Sequence, residues 1–325
     1  MNSLRNGLLV ALLMAPVGLQ AASTSIEGPR LGFVFDHATK SIRPILGIPG
    51  AATMGQPLES GLDLRKIAIS PAQDYVLATE GEHNQVVVLA TGQATLVPAV
   101  VEGADRGPDQ LAISAGGKAA ALYYKGNNHV QLISGLPGAP KISARLYLSA
   151  GQTPSTLAVS DDGQTLLAGV AGTVYWVSPS GEVPLLKGLQ KIVSISLDSN
   201  HTALVADGIG NQIHRLRNVT GAVEPDVVAG PKEGIAAPVA AVLSHDGKRA
   251  FVANSKSGVV AILDLQTKTE AGKLSCGCTL TGLDRLAGED VFRLTEPSNG
   301  PMWVLEAAAH QSRIVFVPPA LNPER

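Results

Sequence analysis

The feature that most constrains this chain is a unit that recurs along it. Five segments share one order: an apolar run, a polar turn, a second apolar run, a polar loop and a third apolar run. They are Ile67 to Ala90, Leu111 to Ser134, Leu157 to Ser178, Ser194 to Leu216 and Ala241 to Asp264, with a weaker copy from Leu283 to Glu306. Equivalent positions at the end of the first run are Ser70, Ser114, Ser160, Leu197 and Ser244, separated by 44, 46, 37 and 47 residues. Asp161-Asp162-Gly163 and His245-Asp246-Gly247 are tight-turn sequences, and Val86-Val87-Val88 and Tyr175-Trp176-Val177 suit buried strands. A looser fourth strand follows in each unit, such as Ala94 to Val97 or Glu182 to Leu186. A repeat of a little over forty residues is the length of one four-stranded sheet.

One such sheet has apolar faces and open edges and does not stand alone. Sheets stacked around a common axis bury the faces and leave only short, protected edges. No amphipathic helical stretch interrupts the repeats, which excludes alternating strand–helix folds. The sequence therefore predicts an all-β propeller of six or seven four-stranded blades, with seven preferred. Leu31 to Leu46 matches the last two strands of a blade, by comparison with Gly258 to Leu274, and Arg313 to Val317 reads as a further strand. The expectation is a ring closed by pairing of the N- and C-terminal strands.

The N-terminal segment reads differently. Arg5 precedes an apolar run from Leu8 to Leu13 that continues through Met14, Ala15 and Val17, and Ala21 and Ala22 supply small residues for cleavage. A core of about 10 residues is too short to span a bilayer and fits a signal peptide. The expected organisation is a signal peptide over residues 1–21 and one propeller domain over 22–325, exported to the periplasm or beyond the cell, with no membrane span in the mature chain. A net charge of −2 argues against a nucleic-acid partner, which a basic face would serve. A chain with 45% hydrophobic and 16% charged residues has ample material for a core.

At Leu243 to Leu274 the chain resembles the YVTN-type propeller repeat, through Ser244, Asp246-Gly247-Lys248, Phe251-Val252-Ala253-Asn254, Gly258-Val259-Val260 and Asp264. Ala206-Asp207-Gly208 with Asn211-Gln212-Ile213 resembles the NHL-type repeat. The WD40 type fits less well, since no Trp-Asp pair ends a repeat. The resemblance implies architecture more than activity, because propellers of these kinds include binding scaffolds as well as lactonases and other hydrolases.

Loops leading into the innermost strands and loops between second and third strands should share one face. Five residues before the repeat anchors stand Arg65, Asp109, Ser155, Ile192 and Val239. Arg65 and Asp109, on neighbouring repeats, form either a structural ion pair or a specificity pair for a charged ligand. The second set of loops offers Glu82, His83 and Asn84, Asn127 and His129, Asp207 and Asn211, and Asn254. These are turn residues by chemistry, and together they would make a rim for a protein, peptide or glycan partner. No ligand set for a metal and no cofactor motif is read: His83 and His129 lack a second ligand at useful spacing. Gly-x-Ser-x-Gly and phosphate-loop motifs are absent from the sequence. Cys276 and Cys278 flank Gly277 and are read as either a small-ring disulfide or two free thiols. The functional expectation is a non-enzymatic binding or scaffold module, with a lactonase-like hydrolase at the channel mouth as the alternative.

Overall fold

Each repeat becomes an antiparallel sheet because its first turn is fixed by the residue at the anchor position. Ser70, Ser114, Ser160 and Ser244 are buried, and the hydroxyl of each accepts the backbone N–H that opens the next strand. Blade 5 carries Leu197 there instead, and Asp198 takes over by accepting the N–H groups of Asn200 and Thr202 at 2.8 Å. A side chain that satisfies the turn locally allows the flanking strands to be wholly apolar.

The computed structural model describes residues 28–319 apart from 60, 93–94, 150–152, 299 and 308–310. The stretch read as a signal peptide lies outside them. The chain forms a seven-bladed β-propeller. Blade 1 holds β1 (Arg30–Asp36), β2 (Ser41–Ile48) and β3 (Ala51–Met54); blade 2 holds β4 (Leu64–Ile69), β5 (Tyr75–Glu80), β6 (Gln85–Ala90) and β7 (Pro98–Val100). Blade 3 is β8 (Gln110–Ile113), β9 (Ala119–Tyr124), β10 (His129–Ser134) and β11 (Lys141–Tyr147). Blade 4 is β12 (Thr156–Val159), β13 (Leu166–Val170), β14 (Thr173–Ser178) and β15 (Gly181–Leu186). Blade 5 is β16 (Ile192–Leu197), β17 (Ala203–Asp207), β18 (Gln212–Arg217) and β19 (Glu224–Ala229). Blade 6 is β20 (Pro238–Leu243), β21 (Arg249–Asn254), β22 (Val259–Asp264) and β23 (Thr269–Ser275), and blade 7 is β24 (Asp284–Arg285), β25 (Val291–Arg293), β26 (Met302–Ala307) and β27 (Ser312–Val317). The helical structure among the described residues is one 3-10 turn, Pro231–Glu233.

In blades 2 to 7 the strands run in chain order from the channel outward. Second strands are buried along nearly their whole length, as in Ala119 to Tyr124, because both faces meet neighbouring blades. The core is accordingly a ring of clusters, each shared by adjacent blades; one joins Tyr123 and Leu132 of blade 3 to Leu157 and Leu166 of blade 4. The fourth strand of the first full repeat forms at Pro98–Val100 and not at Ala94 to Val97. Pairing of Leu89 with Pro98 sets that register.

Blade 1 departs from the expected closure. β1 pairs with β2 and β27 with β26, so the terminal strands do not pair with each other among the described residues. The Leu31 to Leu46 hairpin supplies a second and a third strand, not a third and a fourth, because β3 follows it as the outer strand. The direction of β1 is fixed at both ends. The Leu31 carbonyl accepts the Ala287 N–H at 2.8 Å on the back face, and the Ile42 carbonyl accepts the Leu58 N–H at 2.8 Å on the front. β1 thus runs like β5 and the other second strands. Blade 1 has no strand in the innermost position among the described residues.

Candidate functional site

The front face carries the loops that lead into the inner strands and those between second and third strands. The two sets do share a face, and polar side chains staple them together. Asp109 accepts the Lys125 N–H at 2.7 Å, and in a backbone contact the Asn84 main-chain carbonyl accepts the Gly107 N–H at 3.0 Å. Asp207 accepts N–H groups from Gln190 and Lys191 at 2.8 and 2.9 Å, and from Ile209 and Gly210 in its own turn. Asn211 and Asn254 accept from Ala237 at 2.6 Å and Ala236 at 2.9 Å. Burial would raise the Asp207 carboxyl, but these four backbone donors hold it below the usual carboxylate range. The Asx residues read as a rim are thus engaged in holding that rim in shape.

Others in the set are placed differently. Glu82, His83 and Asn127 are exposed on loop tips. His129 is 1% exposed, with Nε2 at 3.0 Å from Asp105 Oδ2 and its ring stacked on Tyr124 at 4.8 Å. Arg145 also holds Asp105, through both carboxylate oxygens at 3.0 and 2.9 Å. This cluster pins the loop between blades 2 and 3 to the outer part of blade 3. The Arg65–Asp109 pair does not form. Arg65 turns to Asp63 at 3.0 Å, and Lys66 reaches the Asp109 carbonyl at 2.7 Å, because a register shift between Leu64 and Ile67 redirects the start of β4.

Cys276 and Cys278 are joined, with their Cα atoms 5.0 Å apart. Among the described residues no group of three or more His, Cys, Asp or Glu could hold a metal ion. No helix among them is long and apolar enough to cross a membrane.

The central channel is a cavity of about 530 Å³. Its wall is made of small apolar side chains from the inner strands, including Ala68, Ile113, Ala158, Ile195 and Val242. Beside blade 1 the wall is instead β1 itself, through Phe33, Val34 and Phe35. His37, edge-on to Phe35 at 4.9 Å, stands over this side of the channel. Arg65, Asp284, Arg285, Arg293 and Glu296 complete the charged lining, all from blades flanking blade 1. Arg293 is 2.7 Å from Asp284 and also bonds Glu296. Burial works against the Arg293 charge, but the two carboxylates prevail and push its pKa above the ordinary value.

Phe35, His37, Asp284, Arg293 and Glu296 did not emerge from the repeat register. The register of anchors does not extend to the weak sixth copy, and by sequence the first hairpin matches the outer part of a blade. Asp284 lies two residues before Leu286, whose N–H donates to the Val291 carbonyl as Ser70 N–H does to Tyr75, so a register taken five residues before the anchors does not reach it.

No protein-family model matches the sequence, and no curated protein matches it either. Solved structures do match in fold. A functionally unknown protein from Desulfotomaculum acetoxidans aligns with TM-score 0.60 at 18% identity, over 90% of this chain and 100% of that one. Virginiamycin B lyase from Staphylococcus aureus aligns with TM-score 0.56 at 14% identity, over 80% of this chain and 85% of the lyase. A chain of a nidogen/laminin complex aligns with TM-score 0.50 at 13% identity, over 78% and 96%. At these identities the similarity is one of fold, shared by a lyase and by a member of a protein–protein complex.

Proposed function

We propose that this protein is an exported, non-enzymatic propeller of YVTN/NHL-like repeats that binds a peptide segment of a partner in its channel, beside blade 1. One observation carries the reading: β1 faces the cavity in the position where the other six blades carry an inner strand. In an antiparallel sheet, alternate residues turn their backbone N–H and C=O away from the partner strand. Leu31 and Phe33 are of this kind in β1, since they bond Ala287 and Gln73 and not β2. Phe35, two residues on, turns its backbone the same way, toward the channel. An extended peptide adding there would gain main-chain hydrogen bonds from the edge and apolar contact from the wall, which is recognition by strand addition. The inner strands of the other blades suggest the kind of segment, with short runs such as Gln-Leu-Ala-Ile in β8 and Thr-Leu-Ala-Val in β12. The charged groups at the mouth would orient the peptide and select its flanking residues. Membership of a protein complex by one structural neighbour is compatible with this use of the fold.

The test is titration calorimetry of the purified protein against a panel of extended peptides, some built on small apolar residues and some on charged ones. Binding of the apolar members is expected, weakened at least about tenfold by Phe35→Asp and unchanged by His83→Ala or Asn127→Ala. Binding lost through the loop-tip variants instead would move the site to the outer rim. Hydrolysis of simple lactones that disappears with Asp109→Ala would replace the binding reading with an enzymatic one.

A further inference from the structure

The Cys276–Cys278 bridge lies in the connection from β23 to β24, on the front face between blades 6 and 7. It is poorly suited to a stabilising role. Only Gly277 separates the two cysteines, so the ring ties off almost no chain, and the entropy a cross-link removes from the unfolded state falls with loop length. The backbone around it is held independently. Ser275 pairs with Val259, Cys276 N–H donates to the Gly258 carbonyl at 2.9 Å, and Thr281 N–H donates to the Leu294 carbonyl at 2.9 Å. The connection therefore has its path whether or not the sulfurs are joined.

The two sulfurs have unlike surroundings. Cys276 is buried, 6% exposed, in a cluster with Phe251, Leu280 and Phe292. Cys278 is partly exposed, and Gly277 between them is exposed with nothing within 4 Å of where a side chain would stand. Cys278 packs on the edge of the same cluster but is the more exposed of the two, so it is the sulfur an incoming thiolate meets first. A disulfide confined to so small a ring is easier to reduce than one closing a long, relaxed loop, the property that separates exchanging bridges from structural ones.

We infer that Cys276–Cys278 is a thiol–disulfide exchange site that accepts electrons from a dithiol on a partner protein. A partner thiolate attacks Cys278 Sγ. The bond from the partner sulfur to Cys278 forms as the Cys276–Cys278 bond breaks, and the electron pair leaves on Cys276 Sγ, which takes up a proton. The partner's second thiolate then attacks its own sulfur in the mixed disulfide, closing a partner disulfide and releasing the Cys278 thiolate. Two electrons pass from the partner dithiol to this bridge, and a small disulfide such as oxidised glutathione restores it.

The experiment equilibrates the full-length protein in reduced and oxidised glutathione at graded ratios, alkylates it and counts labelled thiols by mass. Both the oxidised and the dithiol forms are expected across physiological ratios. Reduction should shift the melting temperature by less than about 2 °C, because the bridge contributes little to stability. With Cys276→Ser the lone Cys278 thiolate should attack oxidised glutathione, release glutathione thiolate and accumulate as a mixed disulfide, and with Cys278→Ser the buried Cys276 should do so far more slowly. A bridge that stays oxidised at every ratio, or whose reduction in the wild-type protein lowers the melting temperature by about 8 °C or more, makes it a structural staple and overturns the proposal. Two alkylatable thiols in the protein before any reductant is added would overturn it equally.

Discussion

Blades 3 to 6 and the join between blades 7 and 1 face one packing problem under different constraints. Around blades 3 to 6 the chain passes directly from each outer strand to the next inner strand, and an Asx residue fastens each connection, as Asp207 does for Gln190 and Lys191. At the join no such connection exists among the described residues. Its place is taken by an apolar cluster in which Leu31, Val34 and Ile45 of blade 1 meet Val291, Met302 and Val304 of blade 7. A single side chain from a third blade completes it: Gln73 accepts the Phe33 N–H at 2.7 Å and donates to the Arg285 carbonyl at 2.6 Å. Gly32 admits this contact, since a Cβ there would stand 2.7 Å from Gln73 Oε1. The comparison teaches that chain continuity fixes neighbours cheaply, whereas a join without it relies on burial and on a few well-placed polar contacts.

Four measurements test that contrast. Phe251→Ala, which empties a fully buried site packed on Phe292 in the continuous part of the ring, should lower the unfolding free energy by about 4 kcal/mol in denaturant titration. Asp207→Ala strips four backbone donors of their acceptor and should lower it by about 3 kcal/mol, with Asp207→Asn recovering part of the loss. At the join, Gln73→Leu leaves one buried N–H and one buried carbonyl without a partner. A loss of about 2 kcal/mol is expected, with amide exchange accelerated at Phe33 but not at Ile195. Equal acceleration at both sites would show that the join is no weaker than the rest.

The smallest expected effect is on pH. Burial holds His214 below the ordinary histidine range, with the nearby Asp207 carboxylate partly opposing. The folded form therefore takes up a proton less readily than the unfolded chain. The stability contribution is complete above about pH 6.5 and is lost as pH falls below it. Asp207 and Asp226 are depressed carboxylates, so their contribution is lost only at lower pH, below about 4. His214→Gln should flatten the profile between those two limits and leave the acid limb intact.

The blades were legible in the sequence because their determinants are local. Anchor serines, Asp-Gly turns and short apolar runs each specify a hairpin without reference to distant residues, and six copies reinforce one another. The loop-face assignment was legible for the same reason, since strand order alone dictates which loops lie together. The pairing partners of those loops were not. The register places Arg65 opposite Asp109, but an irregularity at the start of β4 accompanies its turn to Asp63; similar irregularities open β16 and β20, and the apolar pattern does not mark which way a side chain there turns.

The unit and its repetition are written locally in the chain, down to which residues turn it and which are buried. Only the tertiary structure decided how the ring meets itself, and hence that β1 rather than a seventh inner strand faces the channel and that His37, Asp284 and Arg293 gather beside it. The physical reason is range. A hairpin is selected by residues a few positions apart, whereas the join between Gln73 and Arg285 depends on side chains brought together by the sum of every blade between them.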